Sequence, residues 1–287
     1  MPDGGSLINL GDLSKPATVL VEKVCNAVGI VYEPTRIKRR ARADAEAAKI
    51  VALGQLELKN IEHRALERLV HQEARKQENI ECITAQAATA LPPDARVESL
   101  DEDWIAHFFK QCDTVSDREM QSLWARLLSG EATAPGTFSK RTVDFVSSID
   151  KRDAALFTKF CQFAWMLGEL CPLIYDVENE IYMKQGINFA SLKHLDSIGL
   201  ISFESVSGYR RMGFAKYGNY FYYGQPTLIE FTADSGNQLE IGHVLLTSTG
   251  RELAPICGST KNQEFYEYII NLWFKQGLIL SSIRIQQ

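Results

Sequence analysis

The sequence holds no C-x-x-C pair, no H-x-x-x-H or H-E-x-x-H set, no G-x-S-x-G, no P-loop and no G-x-G-x-x-G. The local signatures of zinc sites, hydrolase nucleophile elbows and nucleotide-binding turns are therefore missing. The six cysteines (Cys25, Cys82, Cys112, Cys161, Cys171 and Cys257) are scattered, and no histidine stands beside them at ligand spacing. They read as reduced, mostly buried thiols. The acids Asp101, Glu102 and Asp103 are a helix N-terminal cluster rather than a metal site, since carboxylates complement the positive end of a helix. Bases and acids are almost evenly mixed: 31 against 36 give a net charge of -5, which argues against a generic polyanion-coating protein. Only residues 94–150 are acidic, with 6 bases against 11 acids. Long apolar runs are absent too. The richest stretch, Phe160 to Tyr175, is broken by Gln162 and Glu169, short of the roughly 20 residues of a spanning helix. The start MPDGGSLINLGDLSKP has neither the basic nor the apolar region of a secretory signal. The expectation is a cytoplasmic non-enzyme with no cofactor, no metal and no catalytic residue.

What is present is helix-forming sequence and enough apolar residues, 45% of 287, for at least one substantial core. Ser14-Lys15-Pro16 is a helix start, because a serine oxygen can cap a free amide and proline tolerates the first turn. Behind it Ala17, Leu20, Val21, Val24, Val28 and Val31 fall on one helical face, and Glu33-Pro34 should end the helix. From Thr35 to Leu91 the chain is rich in Ala, Glu, Arg, Lys, Leu and Gln and free of proline. About 55 residues at about 1.5 Å each make a rod of roughly 80 Å. Its apolar set, including Ile37, Ile50, Leu58, Ile61, Leu69, Ile80, Ile83 and Ala87, follows an imperfect helical stripe. Either the rod folds back as a hairpin, or it is an intermolecular stalk; no Gly/Pro/Asn cluster offers the hairpin turn.

After Pro92 the texture changes to short capped helices. Asp101 opens one holding Trp104, Ile105, Phe108 and Phe109, and Ser116 to Glu119 reads as a capping box before Met120, Leu123, Trp124, Leu127 and Leu128. Ser139 caps a helix with Val143 and Val146, and Asp150 caps one running through Phe157, Phe160, Ala164 and Leu167. Four such helices suffice for a small bundle. Farther on, Asn188 to Ile198 is a helix with Phe189, Leu192 and Leu195 inward, ended by Gly199. Strand-like runs follow at Leu200–Phe203, Tyr217–Tyr223, Pro226–Thr232 and Gln238–Leu246. Thr247 caps a helix to Ile256, Phe265–Phe274 is another, and Leu278–Ile285 a last strand. The fold class expected is mainly α (α+β): an amphipathic N-terminal helix (1–33), a long helical or coiled-coil-like stalk (34–93), a helical bundle (94–172) and an α+β module (173–287).

Two resemblances sharpen this. Leu192, Leu195, Gly199, Leu200 and Ile201, then Leu246, Thr247, Gly250, Arg251, Glu252 and Leu253, resemble the core strings of a winged helix, although the connection between them is far longer than an ordinary wing. The resemblance implies a winged-helix-like module, not a function. The segment around Glu119, Met120, Leu123, Trp124, Ala125, Leu127, Leu128, Ser139, Phe145, Asp150 and Ala154 resembles the core of a bacterial family of unknown function and of the Abi-alpha abortive-infection proteins. That resemblance implies a setting of anti-phage defence and supplies no catalytic residues.

Two groups of residues are candidates for contact. Arg36, Lys38, Arg39, Arg40 and Arg42 crowd a helix start, where the macrodipole disfavours cations. An anionic partner or membrane surface would offset the repulsion, as would pairing with Glu33, Asp44, Glu46 or acids of a neighbouring stalk. Lys193 and His194 on the helix that the winged-helix resemblance makes the reading helix, with Tyr209, Arg210, Arg211, Lys216, Tyr220 and Tyr222 beyond it, could grip a protein or stack single-stranded bases. The same alternation fits a sheet with one buried face. The leading expectation is a non-enzymatic, self-assembling homo-oligomer of anti-phage defence that meets a protein partner. The alternatives are a DNA-binding regulator and a peripheral effector at the inner membrane, with nucleic acid a less favoured partner because the reading helix has few donors.

Overall fold

The serine–proline start behaves as its chemistry dictates: in the computed structural model the Ala17 amide donates to Ser14 Oγ at 3.4 Å and opens α1 (Lys15–Val28). The helix ends ahead of Glu33-Pro34, because Gly29 turns left-handed (φ 71°) and its amide returns to the Cys25 carbonyl. The structure describes residues 14–29 and 60–282, and the contacts divide the chain into two units, Met1–Ser147 and Ser148–Gln287.

In the first unit α1 is followed by α2 (Asn60–Ala90), a 3₁₀ turn (Val97–Ser99), α3 (Glu102–Cys112), α4 (Arg118–Thr133) and α5 (Lys140–Ser148). The part of the 34–93 stretch that lies before Asn60 falls outside the described residues. Within α2 the two halves differ. Ile80, Ile83, Ala87 and Ala88 are buried, whereas Ile61, Leu69 and Val70 are exposed, so the stripe that includes Ile61 and Leu69 does not enter this core. Where burial begins, a polar network fixes the helix. Asn79 Nδ2 donates to the Asp113 carbonyl at 2.8 Å, and Gln121 Nε2 donates to Asn79 Oδ1 and to the Val115 carbonyl at 3.1 and 2.9 Å.

The α4 cap corrects the sequence reading: Asp117, not Ser116, accepts from the Glu119 and Met120 amides, both at 3.0 Å. Ser116 Oγ is occupied instead by Arg75 Nε at 2.9 Å. Asp101 and Ser139 cap as expected. Rings fill the centre, Phe108 lying 5.1 Å from both Trp104 and Trp124, each of which is almost wholly buried.

The second unit opens with α6 (Lys151–Cys161), for which Asp150 is the N-cap residue without a side-chain bond. This helix stops short of Ala164 and Leu167, which lie in β1 (Ala164–Met166) and its turn; Leu167 N donates to the Glu169 carbonyl across left-handed Gly168. There follow β2 (Leu170–Pro172), α7 (Glu180–Met183), α8 (Phe189–Ser197), β3 (Ile201–Phe203), β4 (Tyr209–Phe214), β5 (Tyr217–Tyr222), β6 (Gln225–Glu230), β7 (Asn237–Gly242), β8 (Val244–Leu246), α9 (Ser248–Leu253), a 3₁₀ turn (Ala254–Ile256), α10 (Gln263–Lys275) and β9 (Ile279–Ser282).

Three antiparallel assemblies result: a five-stranded sheet ordered β2-β1-β5-β6-β9, and the ribbons β3-β8 and β4-β7. Gly250 explains one glycine of the winged-helix-like string, since a Cβ there would collide with the Leu200 carbonyl, where α9 crosses the end of α8's loop. The core is aromatic. Trp165 stacks on Tyr222 and Tyr266 and meets Trp273 edge-on at 4.8 Å, so α10 is clamped to the inner face of the five-stranded sheet. The architecture is therefore α+β. Among the described residues no helix is long and apolar enough to cross a membrane.

Candidate functional site

Arg36, Lys38, Arg39, Arg40 and Arg42 lie outside the described residues. The second candidate group can be followed atom by atom, beginning with α8. Asn188 and Ser191 form a reciprocal capping box, with bonds of 2.8 and 3.0 Å, and Leu192 and Leu195 are fully buried beneath it. Phe189, expected inward, is half-exposed and meets Phe203 edge-on, because the first turn projects past the edge of the core. Lys193 and His194 share the exposed side. The Lys193 ammonium stands 5.0 Å from the centre of the Phe203 ring and 3.6 Å from Asp196, while His194 Nε2 lies 2.8 Å from Asp153.

The β4-β7 ribbon carries Tyr209, Arg210 and Arg211, Lys216 lies between β4 and β5, and Tyr220 and Tyr222 lie in β5. Arg210 pairs with Glu240 at 2.8 Å, Arg211 stands 3.2 Å from Glu169, and Lys216 pairs with Asp234 at 3.1 Å. Glu169 also holds Arg251 at 3.1 Å. Tyr209 exchanges a hydrogen bond with Ser202 Oγ at 3.0 Å. Each cation of the set thus has an acid beside it, although Arg211 shares Glu169 with Arg251, so the positive charge facing outward there is largely compensated. Exposed pairs of this kind are worth about 0–1 kcal/mol and can open, but the acids would still repel phosphate.

Tyr220 and Tyr222 correct the sequence reading. Both are buried, Tyr220 edge-on to Phe214 at 5.7 Å and Tyr222 inside the Trp165 stack, so neither ring face can receive a base or a partner. The Tyr222 hydroxyl donates to the Gln162 carbonyl at 2.7 Å and accepts from the Asn262 amide at 2.9 Å, and burial pushes its pKa far above the usual phenol value. Burial also raises Tyr220. The neighbouring Tyr223 hydroxyl, desolvated but bonded to Ser259 at 2.8 Å, is pushed up to about 12. These phenols are structural.

Among the described residues no group of three or more His, Cys, Asp or Glu side chains is gathered as a metal site. The cysteines are all free thiols; Cys112, Cys161 and Cys171 are buried and the other three half-buried. Desolvation raises the thiols of Cys112 and Cys161 well above their ordinary value, and that of Cys171 to about 11, which leaves them poor nucleophiles near neutral pH. What the sequence reading passed over is the outer side of the five-stranded sheet, where Met166, Tyr217, Phe221, Leu228 and Ile279 are exposed together. The signal was present in Leu228-Ile229 and in Tyr220-Phe221-Tyr222, apolar at consecutive positions and therefore on both faces of a strand.

Comparison with known proteins adds one match. The model of a family described as a protein of unknown function (DUF2806) matches residues 63–270, from inside α2 to inside α10. No curated protein and no solved structure matches the chain.

Proposed function

The chain belongs to the DUF2806 family of proteins of unknown function, and from that premise we propose that it is a non-enzymatic, self-assembling bacterial protein of anti-phage defence. Its N-terminal helices would make the assembly and its second unit would meet a protein partner, as sensor, scaffold or effector. The observation that carries the assembly reading is the split in α2. Its second half is anchored by Asn79, Ile80 and Ile83 in the first unit, while its first half presents Ile61 and Leu69, at stripe spacing, to solvent. A helix that keeps an apolar stripe beyond its own core is what an intermolecular stalk needs.

The defence setting rests on the likeness to the Abi-alpha core. The residues that carry it, Trp124, Ala125, Leu127 and Leu128 among them, are interior residues of α4, so the likeness speaks for a shared helical scaffold rather than for shared chemistry. Mass photometry of the full chain tests assembly, and a phage challenge of a bacterial host with and without the gene tests the setting. A monomer at all concentrations would refute the first part, and unchanged plaque numbers across a diverse phage panel the second. Replacing Arg39, Arg40 and Arg42 with Gln separates two roles of the basic run: altered oligomer size without lipid assigns it to assembly, and lost flotation with anionic vesicles assigns it to a membrane surface.

A second reading, a DNA-binding regulator, draws support from element order. Helix α6, strand β2, helices α7 and α8 and the ribbon β3-β8 follow the order of a winged helix, with β4 to β7 inserted between the two strands of that ribbon. The paired cations of that region weigh against it. DNA retention that falls steeply with salt and is lost on Lys193→Ala with Arg210→Ala would establish it; no retention at low salt would end it.

A further inference from the structure

Among the described residues, the five-stranded sheet has one covered face and one bare one. Its inner face carries Trp165, Tyr222, Thr227 and Ile229 beneath α10, where Thr227 Oγ1 and the Tyr266 hydroxyl lie 3.1 Å apart. An antiparallel sheet covered on one side should turn polar residues outward on the other. Register places the opposite here. Met166 is paired with Phe221 and Phe221 with Pro226, Leu228 lies between Asn219 and Ser281, and Glu230 lies between Tyr217 and Ile279. Directly paired residues share a face, so Met166, Tyr217, Phe221, Leu228 and Ile279 lie on one face across four strands, each between 37% and 63% exposed, with Asn219, Ser281 and Glu230 set between them.

We infer that this outer face is where a second copy of the chain packs, sheet against sheet, about a two-fold axis. Charge argues against nucleic acid, an anionic lipid surface and a basic peptide. Glu230 is the one formal charge in these register rows, and the Tyr217 hydroxyl donates to it at 3.2 Å; the Lys216 ammonium, 5.9 Å from the centre of the Tyr217 ring, is held by Asp234 at 3.1 Å. A nucleic acid or an anionic lipid surface needs cations here, and a basic peptide needs more than one carboxylate. A neutral apolar sheet is complementary to another copy of itself, which is the requirement of an isologous contact. The size is also suitable. Large side chains of roughly 150–250 Å² each, exposed in these fractions, leave on the order of 500 Å² of apolar surface, and a polar rim brings that near the roughly 800 Å² per partner of a standard stable interface. Packed sheets stand about 10 Å apart, a spacing that interdigitating Phe, Leu and Ile side chains fill. This contact is separate from the stalk assembly and does not depend on it.

The test uses the full chain. Sedimentation velocity over a concentration series should give even-numbered species, and Phe221→Glu with Leu228→Glu should halve the mass at equal concentration while circular dichroism and melting temperature are kept, because both side chains are exposed. Hydroxyl-radical footprinting of the unaltered chain supplies a readout without substitution: Met166 and Phe221 should become at least threefold less reactive as concentration rises. An unchanged mass in the double variant overturns the inference, as does footprinting that is independent of concentration. A mass that responds only to substitution of Arg39, Arg40 and Arg42 also overturns it while leaving the stalk reading intact. Binding to neutral phosphatidylcholine vesicles that the double variant abolishes, with no change of mass in solution, would assign the face to lipid and overturn it likewise.

Discussion

Both units bury clustered rings, the first around Phe108 and the second around Trp165, but the first adds a polar junction where three helices meet. At the junction of α2, α3 and α4 the first unit buries Asn79, Gln121 and, at the end of α4, Glu131, each with partners for its polar atoms. The second unit buries rings, with Trp165 between Tyr222 and Tyr266 and against Trp273. Polar groups specify by direction, since a buried donor or acceptor without its partner costs about 1–3 kcal/mol. Rings specify by shape and area, and their loss leaves a cavity. The polar junction of the first unit and the Trp165 stack of the second should therefore fail differently.

The largest difference should come from Trp165→Ala. Removing a wholly buried indole costs about 3–5 kcal/mol, and the loss should appear as faster amide exchange in peptides of β1, β5 and α10. Equal acceleration in peptides of the first unit would break the contrast. Next in size is Glu131→Ala. Its carboxylate accepts from the Gly136 and Phe138 amides at 2.6 and 2.7 Å, and those two bonds close the loop between α4 and α5. Losing both, with charge-assisted bonds worth about 1.5–3 kcal/mol each, should cost about 3 kcal/mol in a urea titration. A cost below about 1 kcal/mol would mean that the loop's shape comes from the packing of Phe138 instead.

Alkali should separate the units by a smaller step at its onset. Burial raises the phenols of Tyr175, Tyr182 and Tyr222 above their ordinary 10 and takes Tyr223 to about 12, and all four lie in the second unit. The described part of the first unit has no tyrosine. A group whose pKa is raised by folding lends full support below its unfolded value and loses it as pH climbs toward the folded one. The second unit should keep its near-ultraviolet dichroism to about pH 10 and lose it between about 10 and 12, with phenolate absorbance rising in the same step. Ionisation of every phenol near 10, without change in dichroism, would refute the structural role given to these hydroxyls.

Much of this was legible in local sequence. Caps at Ser14, Asp101, Ser139 and Thr247 were readable because a cap is made within a few residues of itself. The left-handed stop at Gly199 was readable for the same reason. The strands β1 and β2 were not, since an apolar run such as Phe160–Leu167 suits a buried strand as well as a helix. The fate of the candidate cations was hidden as well. Glu240 and Glu169 reach Arg210 and Arg211 through strand pairing and chain folding, which spacing does not encode. For β5 the alternation was visible but not its phase, because Tyr217 and Phe221 are as apolar as Tyr220 and Tyr222, and only the position of α10 decides which pair is buried.

The smallest expected effect tests the other contrast in the molecule, that between the two halves of α2. Leu69 lies in the exposed half, so Leu69→Gln, which keeps high helix propensity, should change the unfolding free energy by no more than about 0.5 kcal/mol. Ile83 lies in the buried half of the same helix, and Ile83→Ala should cost about 2–5 kcal/mol. The informative readout for Leu69→Gln is mass rather than melting. In an intermolecular stalk the apolar stripe is the contact, so an amide at its centre should shift the oligomer toward smaller species at fixed concentration while the first unit melts unchanged. A stability loss of more than about 1 kcal/mol in dilute solution, where the chain is monomeric, would mean that Leu69 is covered within its own chain. That result would favour the hairpin over the stalk and move self-association to the bare face of the sheet.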